Sequence, residues 1–277
     1  LFRCLPVFLQ ENKMVLKSIK DFPREKGSAI TYLLTDIDDT ITLNGRIPAC
    51  AFQAMEDLKK GGIKVIPITG RPAGWCDHIA RMWPVDGIVG ENGAFYFVYD
   101  SHTKKMIRRY FKTDQERQQD QIKLTAIKHK ILQLVPGCVA SADQSYREAD
   151  LAIDFAEDVP ALSQTDIDRI VDIFEQEGAT AKVSSIHVNG WFGGYDKLSM
   201  TKIMFREVFK TDLDAIKETV VFVGDSPNDE PMFEYFPNSV GVANVLAFCD
   251  RLAFKPAWIT KDEGGIGFAQ LAKILAP

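Results

Sequence analysis

The stretch Tyr32-Leu33-Leu34-Thr35-Asp36-Ile37-Asp38-Asp39-Thr40-Ile41-Thr42 decides how this chain is read. Tyr32, Leu33 and Leu34 are apolar and strand-like, and polarity flips at Asp36. Short apolar runs of this kind mark buried strands of parallel sheets, and ligands bind just beyond the carboxyl ends of such strands. Asp36 and Asp38 are two positions apart, so on an extended backbone their side chains leave the same face. Carboxylates crowded there repel one another unless a cation neutralises them. A polar turn or helix cap would also place Asp-Asp-Thr after a strand, so the partners downstream decide.

Working outward, Pro48 suits the first turn of a helix in which Ala51, Met55 and Leu58 share a face, and Gly61-Gly62 stops it. A second apolar strand, 63–68, ends in Thr69-Gly70-Arg71-Pro72. A helix over 73–82 and a third strand, 87–90, follow, the strand ending in Glu91-Asn92-Gly93-Ala94. Strand, helix, strand, helix, strand with short links predicts an α/β fold, a Rossmann-like doubly wound parallel sheet whose strand tips line one edge.

From Phe95 the rhythm changes. Strands at 95–99 and 106–111 form a hairpin around Ser101-His102-Thr103-Lys104, followed by a long helix carrying Ile127, Ile131 and Leu134 that Pro136-Gly137 closes. A strand at 149–155, a helix begun by Ser163 and Asp166, and a strand at 182–188 complete an inserted α+β unit. After residue 194 the α/β rhythm resumes with a helix over 199–209 and the apolar strand 219–223, which ends in Gly224-Asp225-Ser226-Pro227-Asn228-Asp229. Short strands at 239–242 and 257–259 and a helix over 264–275 finish the chain. The expected division is an N-terminal extension (1–30), a core made of 31–94 and 195–277, and an inserted cap (95–194).

The 277 residues suffice for one large or two ordinary domains, and 46% apolar with 26% charged content is the balance of a globular protein. With 33 Lys plus Arg against 38 Asp plus Glu, the net charge is −5, which speaks against a nucleic-acid partner. Lys104, Lys105, Arg108 and Arg109 read as a solvated strand face. Cys4, Cys50, Cys76, Cys138 and Cys249 show no metal spacing and read as reduced thiols. No apolar run is long enough to cross a bilayer, and residues 2–9 are too short and interrupted for a signal peptide, so a cytoplasmic protein without a membrane partner is expected. No P-loop, dinucleotide fingerprint or HExxH is present.

Three strand ends therefore offer Asp36 and Asp38, Thr69-Gly70, and Asp225, Asn228 and Asp229. Carboxylates without histidine or cysteine suit a hard cation, magnesium first. A hydroxyl beside glycine brings donors and bare backbone N–H groups to an anion, and a lysine point charge, best supplied by Lys197, would complete a phosphate site. In this order, Asp36-Ile37-Asp38-Asp39-Thr40, Thr69-Gly70-Arg71, Lys197 and Gly224-Asp225-Ser226-Pro227-Asn228-Asp229 resemble the four motifs of the haloacid dehalogenase superfamily, from about residue 31 onwards. Glu91-Asn92-Gly93-Ala94 with the large insertion is similar to the Cof-type sugar-phosphatase branch. Residues 185–197 and Arg147-Glu148 resemble the mannosyl-3-phosphoglycerate and sucrose-phosphate phosphatase group.

The resemblance implies a phosphatase acting on a small phosphorylated metabolite, a sugar phosphate, with Mg2+. Asp36 would be the nucleophile, and Asp38 the acid for the leaving oxygen and then the base for water. Asp36, the main-chain carbonyl of Asp38 and Asp225 would hold the metal, and Asp229 would support that shell or pair with Lys197. Thr69, the Gly70 N–H, Lys197 and Asn228 would hold phosphoryl oxygens. Glu91, Asn92 and Arg147 are candidate substrate contacts, as are His187, Asn189 and Trp191, against salt bridges and core packing as the plain alternative. Leu198 stands where the family often has glycine, which leaves Lys202 as a rival to Lys197, and Asp39 stands where many members have glycine. The stretch Gly194-Tyr195-Asp196-Lys197 also resembles phosphomannomutases, so a phosphomutase or phosphotransferase is the alternative, with a non-catalytic sugar-phosphate sensor third.

Overall fold

The computed structural model describes residues 16–276, so residues 2–9 lie outside the described part. The chain begins with β1 (Lys17–Ser18), α1 (Arg24–Ala29), β2 (Tyr32–Thr35), α2 (Ala49–Lys60), β3 (Lys64–Pro67), α3 (Ala73–Met82) and β4 (Ile88–Gly90). Next come β5 (Phe95–Asp100), β6 (Lys105–Tyr110), α4 (Asp114–Leu134), β7 (Val139–Ala140), β8 (Asp150–Asp154), α5 (Gln164–Gln176), β9 (Thr180–Val183) and β10 (His187–Trp191). The last part contains α6 (Lys197–Glu207), α7 (Leu213–Ile216), β11 (Val220–Gly224), α8 (Glu230–Tyr235), β12 (Ser239–Gly241), β13 (Trp258–Ile259) and α9 (Gly264–Leu275).

Six strands pair in parallel in the order β1-β13-β12-β11-β2-β3. Because successive side chains leave opposite faces, each strand feeds two cores. Leu33, Val65, Val221 and Val223 pack on one face with Met55 and Leu58 of α2 and Phe268 and Leu271 of α9. Leu34, Ile66, Val220 and Phe222 pack on the other with Met200, Met204 and Phe205 of α6 and Met232 and Phe233 of α8. Burial on both faces explains the unbroken apolar runs, each such side chain contributing about 1.5–3 kcal/mol. The doubly wound expectation holds, and Lys17 and Ser18 of the lead-in add an edge strand beside β13.

Two expectations inside the insertion need correcting. The hairpin β5–β6, expected in the inserted unit, has β5 antiparallel to β4, and Val89 bridges Ile68 at the edge of the parallel sheet. The hairpin thus extends the core sheet sideways. The strand expected at 182–188 is two strands, β9 and β10, because Ser184 Oγ accepts the His187 N–H and turns the chain between them.

The remainder of the insertion is an antiparallel sheet, β7-β8-β10-β9, covered on one face by α4 and α5. Ser163 caps α5 as its sequence suggests, accepting the Asp166 N–H. Alternation settles what each face carries. Leu151, Ile153 and Val188 enter the helical core, so Asp150, Asp154, His187 and Asn189 occupy the opposite face, where they are buried. That face covers the carboxyl edge of the parallel sheet.

Candidate active site

The ladder between β2 and β11 pairs Thr35 with Val223, and the Asp36 N–H donates to the Val223 carbonyl at 2.9 Å. Hydrogen bonding one step past the strand end brings Asp36 beside Asp225. Oxygens of Asp36, Asp225 and Asp229 lie within 4.8 Å of one another, all three residues buried. Lys197, at the first turn of α6, places Nζ 2.9 Å from Asp36 Oδ1 and 2.8 Å from Asp229 Oδ1. Its rival Lys202 pairs with Asp214 at the surface, so the structure brings Lys197 and not Lys202 to the cluster.

Each carboxylate has its own support. Asp225 accepts from Thr40 Oγ1 at 3.0 Å and from Asn244 Nδ2 at 3.3 Å. Asp229 Oδ2 accepts the N–H of Asp225 and Oδ1 pairs with Lys197, while Asp229 also offers an oxygen to the Asp36–Asp225 group. Burial pushes Asp36 up to about 7; Lys197 pulls it down, while Asp229 and Asp38 raise it further. Burial likewise raises Asp225, reinforced by Asp229 and Asp36. Burial also works against the Lys197 charge, but Asp229 and Asp36 outweigh it and hold the lysine above its ordinary value. One lysine facing three buried carboxylates leaves an excess of negative charge that a hard divalent cation fits.

Asp38 leaves the strand end toward the cap, and its side chain stands apart from the acidic group. Arg71 grips both its oxygens, with Nε 3.0 and 2.9 Å and Nη2 2.8 Å away. The same guanidinium reaches Glu157 at 2.7 Å and Asp143 at 3.3 Å, both in the insertion. His187 Nε2 lies 2.9 Å from the other Glu157 oxygen. Burial opposes the Glu157 charge, but His187 and Arg71 close beside it hold it down at about 2. Arg71 therefore ties the acid candidate to the covering sheet.

Arg147 reaches in from the insertion with no exposed side-chain surface. Nη1 donates to the Gly70 carbonyl and to Asp150, each at 2.9 Å, Nε donates to Asp143 at 3.0 Å, and Nη2 has no protein partner. With Asp36, Asp38, Gly70, His187 and Asn228 it lines a cavity of only about 10 Å3. That is room for about one water molecule, too little for a phosphoryl group, which enters only if Arg71 or the covering sheet moves. Asp38, Arg71 and Ile186 also line an outer space of about 270 Å3, walled further by Asp39, Asn44 and Glu157.

Several expected contacts sit elsewhere. Glu91 does not face the cavity: its fully buried carboxylate accepts backbone N–H groups from Ala73, Glu148, Ala149 and Asp150. Asn92 is packed behind Gly70, close enough that a Cβ on that glycine would come within 3.2 Å of its amide. Both residues take positive φ (42° and 54°), which turns their side chains away from the strand-end direction that sequence position suggests. Trp191 stacks on Tyr195 within the core. Asn189 lines the cavity while donating to Asp150. Thr69 Oγ1 accepts the Arg71 N–H in a local hydroxyl turn and does not cap α3, whose N-terminal residue before the helix is Pro72. Sequence reasoning missed Asn244, which lies in a 3-10 segment without a motif, and the part played by Glu157 and Asp143. For Arg71 the signal was present in Thr69-Gly70-Arg71, but its partners come from a distant segment.

A doubly wound core, carboxylates at its strand tips and a covering α+β unit define a hydrolase of the haloacid dehalogenase type. The family model described as haloacid dehalogenase-like hydrolase matches residues 33–186, and the chain belongs to that family. Among curated proteins it is 28% identical over 255 residues to a phosphoglycolate phosphatase of Methanoculleus marisnigri, spanning 88% of this chain and 96% of that one. Among solved structures it resembles Thermoplasma acidophilum 0175, with a TM-score of 0.67, 18% identity, and 89% and 98% of the two chains covered. It also resembles the sucrose-phosphatase of Synechocystis sp., with a TM-score of 0.59, 15% identity, and 88% and 97% covered. Among the described residues no helix is long and apolar enough to cross a membrane.

Proposed function

We propose that this hydrolase is a magnesium-dependent phosphatase that cleaves a phosphomonoester of a small metabolite, a sugar phosphate, in the cytoplasm. The observation that carries the reading is the joint placement of Asp36, Lys197, Asp225 and Asp229 beside a cavity that Asp38 also lines. The names of two similar proteins, a phosphoglycolate phosphatase and a sucrose-phosphatase, support the substrate class.

Asp36, Asp225 and the Asp38 main-chain carbonyl would hold the magnesium ion, with Asp229 behind them through Lys197. When bound, the ion neutralises carboxylate and phosphoryl charge. An Asp36 oxygen attacks phosphorus and the ester P–O bond breaks, leaving an aspartyl-phosphate. Asp38 gives its proton to the departing alkoxide, which is too basic to leave unaided, and then takes one from the water that attacks phosphorus. Orthophosphate leaves and the Asp36 carboxylate is restored. Lys197, Gly70, Asn228 and Arg147 hold the phosphoryl oxygens, so charge is met by fixed donors in a site closed to water. Because Arg71 holds Asp38 as an ion pair, proton donation requires that this grip loosen as the leaving group arrives.

Incubation of a sugar monophosphate with magnesium tests the reading. Orthophosphate should appear without any isomeric sugar phosphate, and Asp36→Asn should stop it with the fold intact. Isomer formation without orthophosphate would favour a mutase, and undiminished hydrolysis by the variant would remove Asp36 from the chemistry.

A further inference from the structure

Glu91 is fully buried, and its carboxylate holds together two segments far apart in sequence. One oxygen accepts the N–H of Ala73, at the start of α3 in the core, at 2.9 Å. Between them the two oxygens accept the consecutive N–H groups of Glu148 (2.9 and 3.1 Å), Ala149 (2.6 Å) and Asp150 (3.1 Å), where β8 of the covering unit begins. The approach depends on an unusual backbone, with Glu91, Asn92 and Gly93 in succession at φ 42°, 54° and 107°. Left-handed non-glycine residues cost roughly 1–2 kcal/mol each and persist where surrounding contacts over-determine them. The residue just before the pinned segment is Arg147, whose Nη2 is buried without a protein partner while the side chain lines the Asp36 cavity.

We propose that Glu91 is a positioning residue: it anchors backbone 148–150 to the core so that Arg147 Nη2 is presented to an anionic oxygen of the phosphoryl group. This rests on reading the cavity as a phosphoryl site. A carboxylate suits the task because each oxygen accepts more than one N–H and presents no donor to clash with them. Glu91→Gln would turn an amide NH2 toward at least one of these N–H groups.

Orthophosphate binding in the presence of magnesium, measured by calorimetry, tests it on the full chain, with hydrolysis of an aryl phosphate followed in parallel. Glu91→Gln and Arg147→Met should each weaken orthophosphate binding by at least about tenfold, the scale of one lost charge-assisted hydrogen bond. The double variant should bind no more weakly than Arg147→Met alone, a non-additivity that a merely structural role would not produce. Wild-type affinity in Glu91→Gln, or losses that add in the double variant, would overturn the proposal. Should a variant fail to fold, amide exchange of the wild type decides: the 148–150 amides should exchange slowly, and exchange as fast as in an exposed loop would overturn it. A wild type that neither binds orthophosphate nor hydrolyses the ester would remove the functional reading and this proposal with it. An active wild type with additive losses would remove this proposal alone.

Discussion

Replacing Asp36 by Asn should stop turnover and yet make the metal-free protein more stable. Burial, with Asp229 and Asp38 nearby, lifts the Asp36 carboxyl from its ordinary 3.8 to about 7 even with Lys197 attached. In the folded protein the group therefore keeps a proton that the unfolded chain has already lost between about pH 4 and pH 7. Stability falls as pH rises through that window, because the folded state binds more protons there. At pH 8 the accumulated cost is about 4 kcal/mol, and allowing for relaxation of a buried site it is about 2–4 kcal/mol. Asn removes the charge while Lys197 keeps Asp229. Thermal melts after chelation at pH 8 should show Asp36→Asn melting roughly 5 to 15 °C above wild type. At pH 5 the gap should shrink to under about 2 kcal/mol. Added magnesium should reverse the order, since the variant lacks a ligand oxygen. A variant melting at or below metal-free wild type at pH 8, or a gap independent of pH, would refute the account of a carboxylate cluster held together against its own repulsion.

Further outcomes follow from the same geometry. Lys197→Met leaves Asp36 and Asp229 unneutralised; without metal it should lose about 3–5 kcal/mol in denaturant unfolding and its turnover should fall at least about a hundredfold. Magnesium at about a hundred times its dissociation constant should stabilise wild type by about 2.7 kcal/mol. The increase in melting temperature should be larger at pH 8 than at pH 5.5, where Asp36 is largely protonated in the metal-free protein and the ion competes with that proton. Arg71→Gln leaves Asp38, Asp143 and Glu157 without the cation they share, so denaturant unfolding of the metal-free protein should show a loss of at least about 2 kcal/mol.

The core was legible because its strands are covered on both faces and therefore appear as unbroken apolar runs that stop at polar tips, as at Leu34 to Asp36 and Val223 to Asp225. Asp36, Lys197, Asp225 and Asp229 could be placed together because each lies at such a tip or at the helix turn opposite it. The insertion was harder to read. Its covering sheet has helices on one face and the core on the other, so Asp150, His187 and Asn189 look like solvated residues in sequence while being buried in the fold. The hairpin β5–β6 follows the core sheet because its partner, β4, is a core strand, and adjacency in sequence cannot tell which edge a hairpin joins. Glu91 and Asn92 follow a strand tip as Asp36 does, but their positive φ swings the side chains off that direction. Asn244 supports Asp225 from a segment with no periodicity to mark it, and Arg71 acquires its role only when Glu157 folds over it.

On the proposed function, the aspartates hold one divalent ion and Lys197 meets one phosphoryl group beside Asp36. Orthophosphate release from a panel of small phosphomonoesters, with magnesium and again after chelation, tests it most directly. The account predicts release from at least one sugar phosphate that vanishes on chelation and is absent with Asp36→Asn. Release that survives both chelation and that substitution would contradict it.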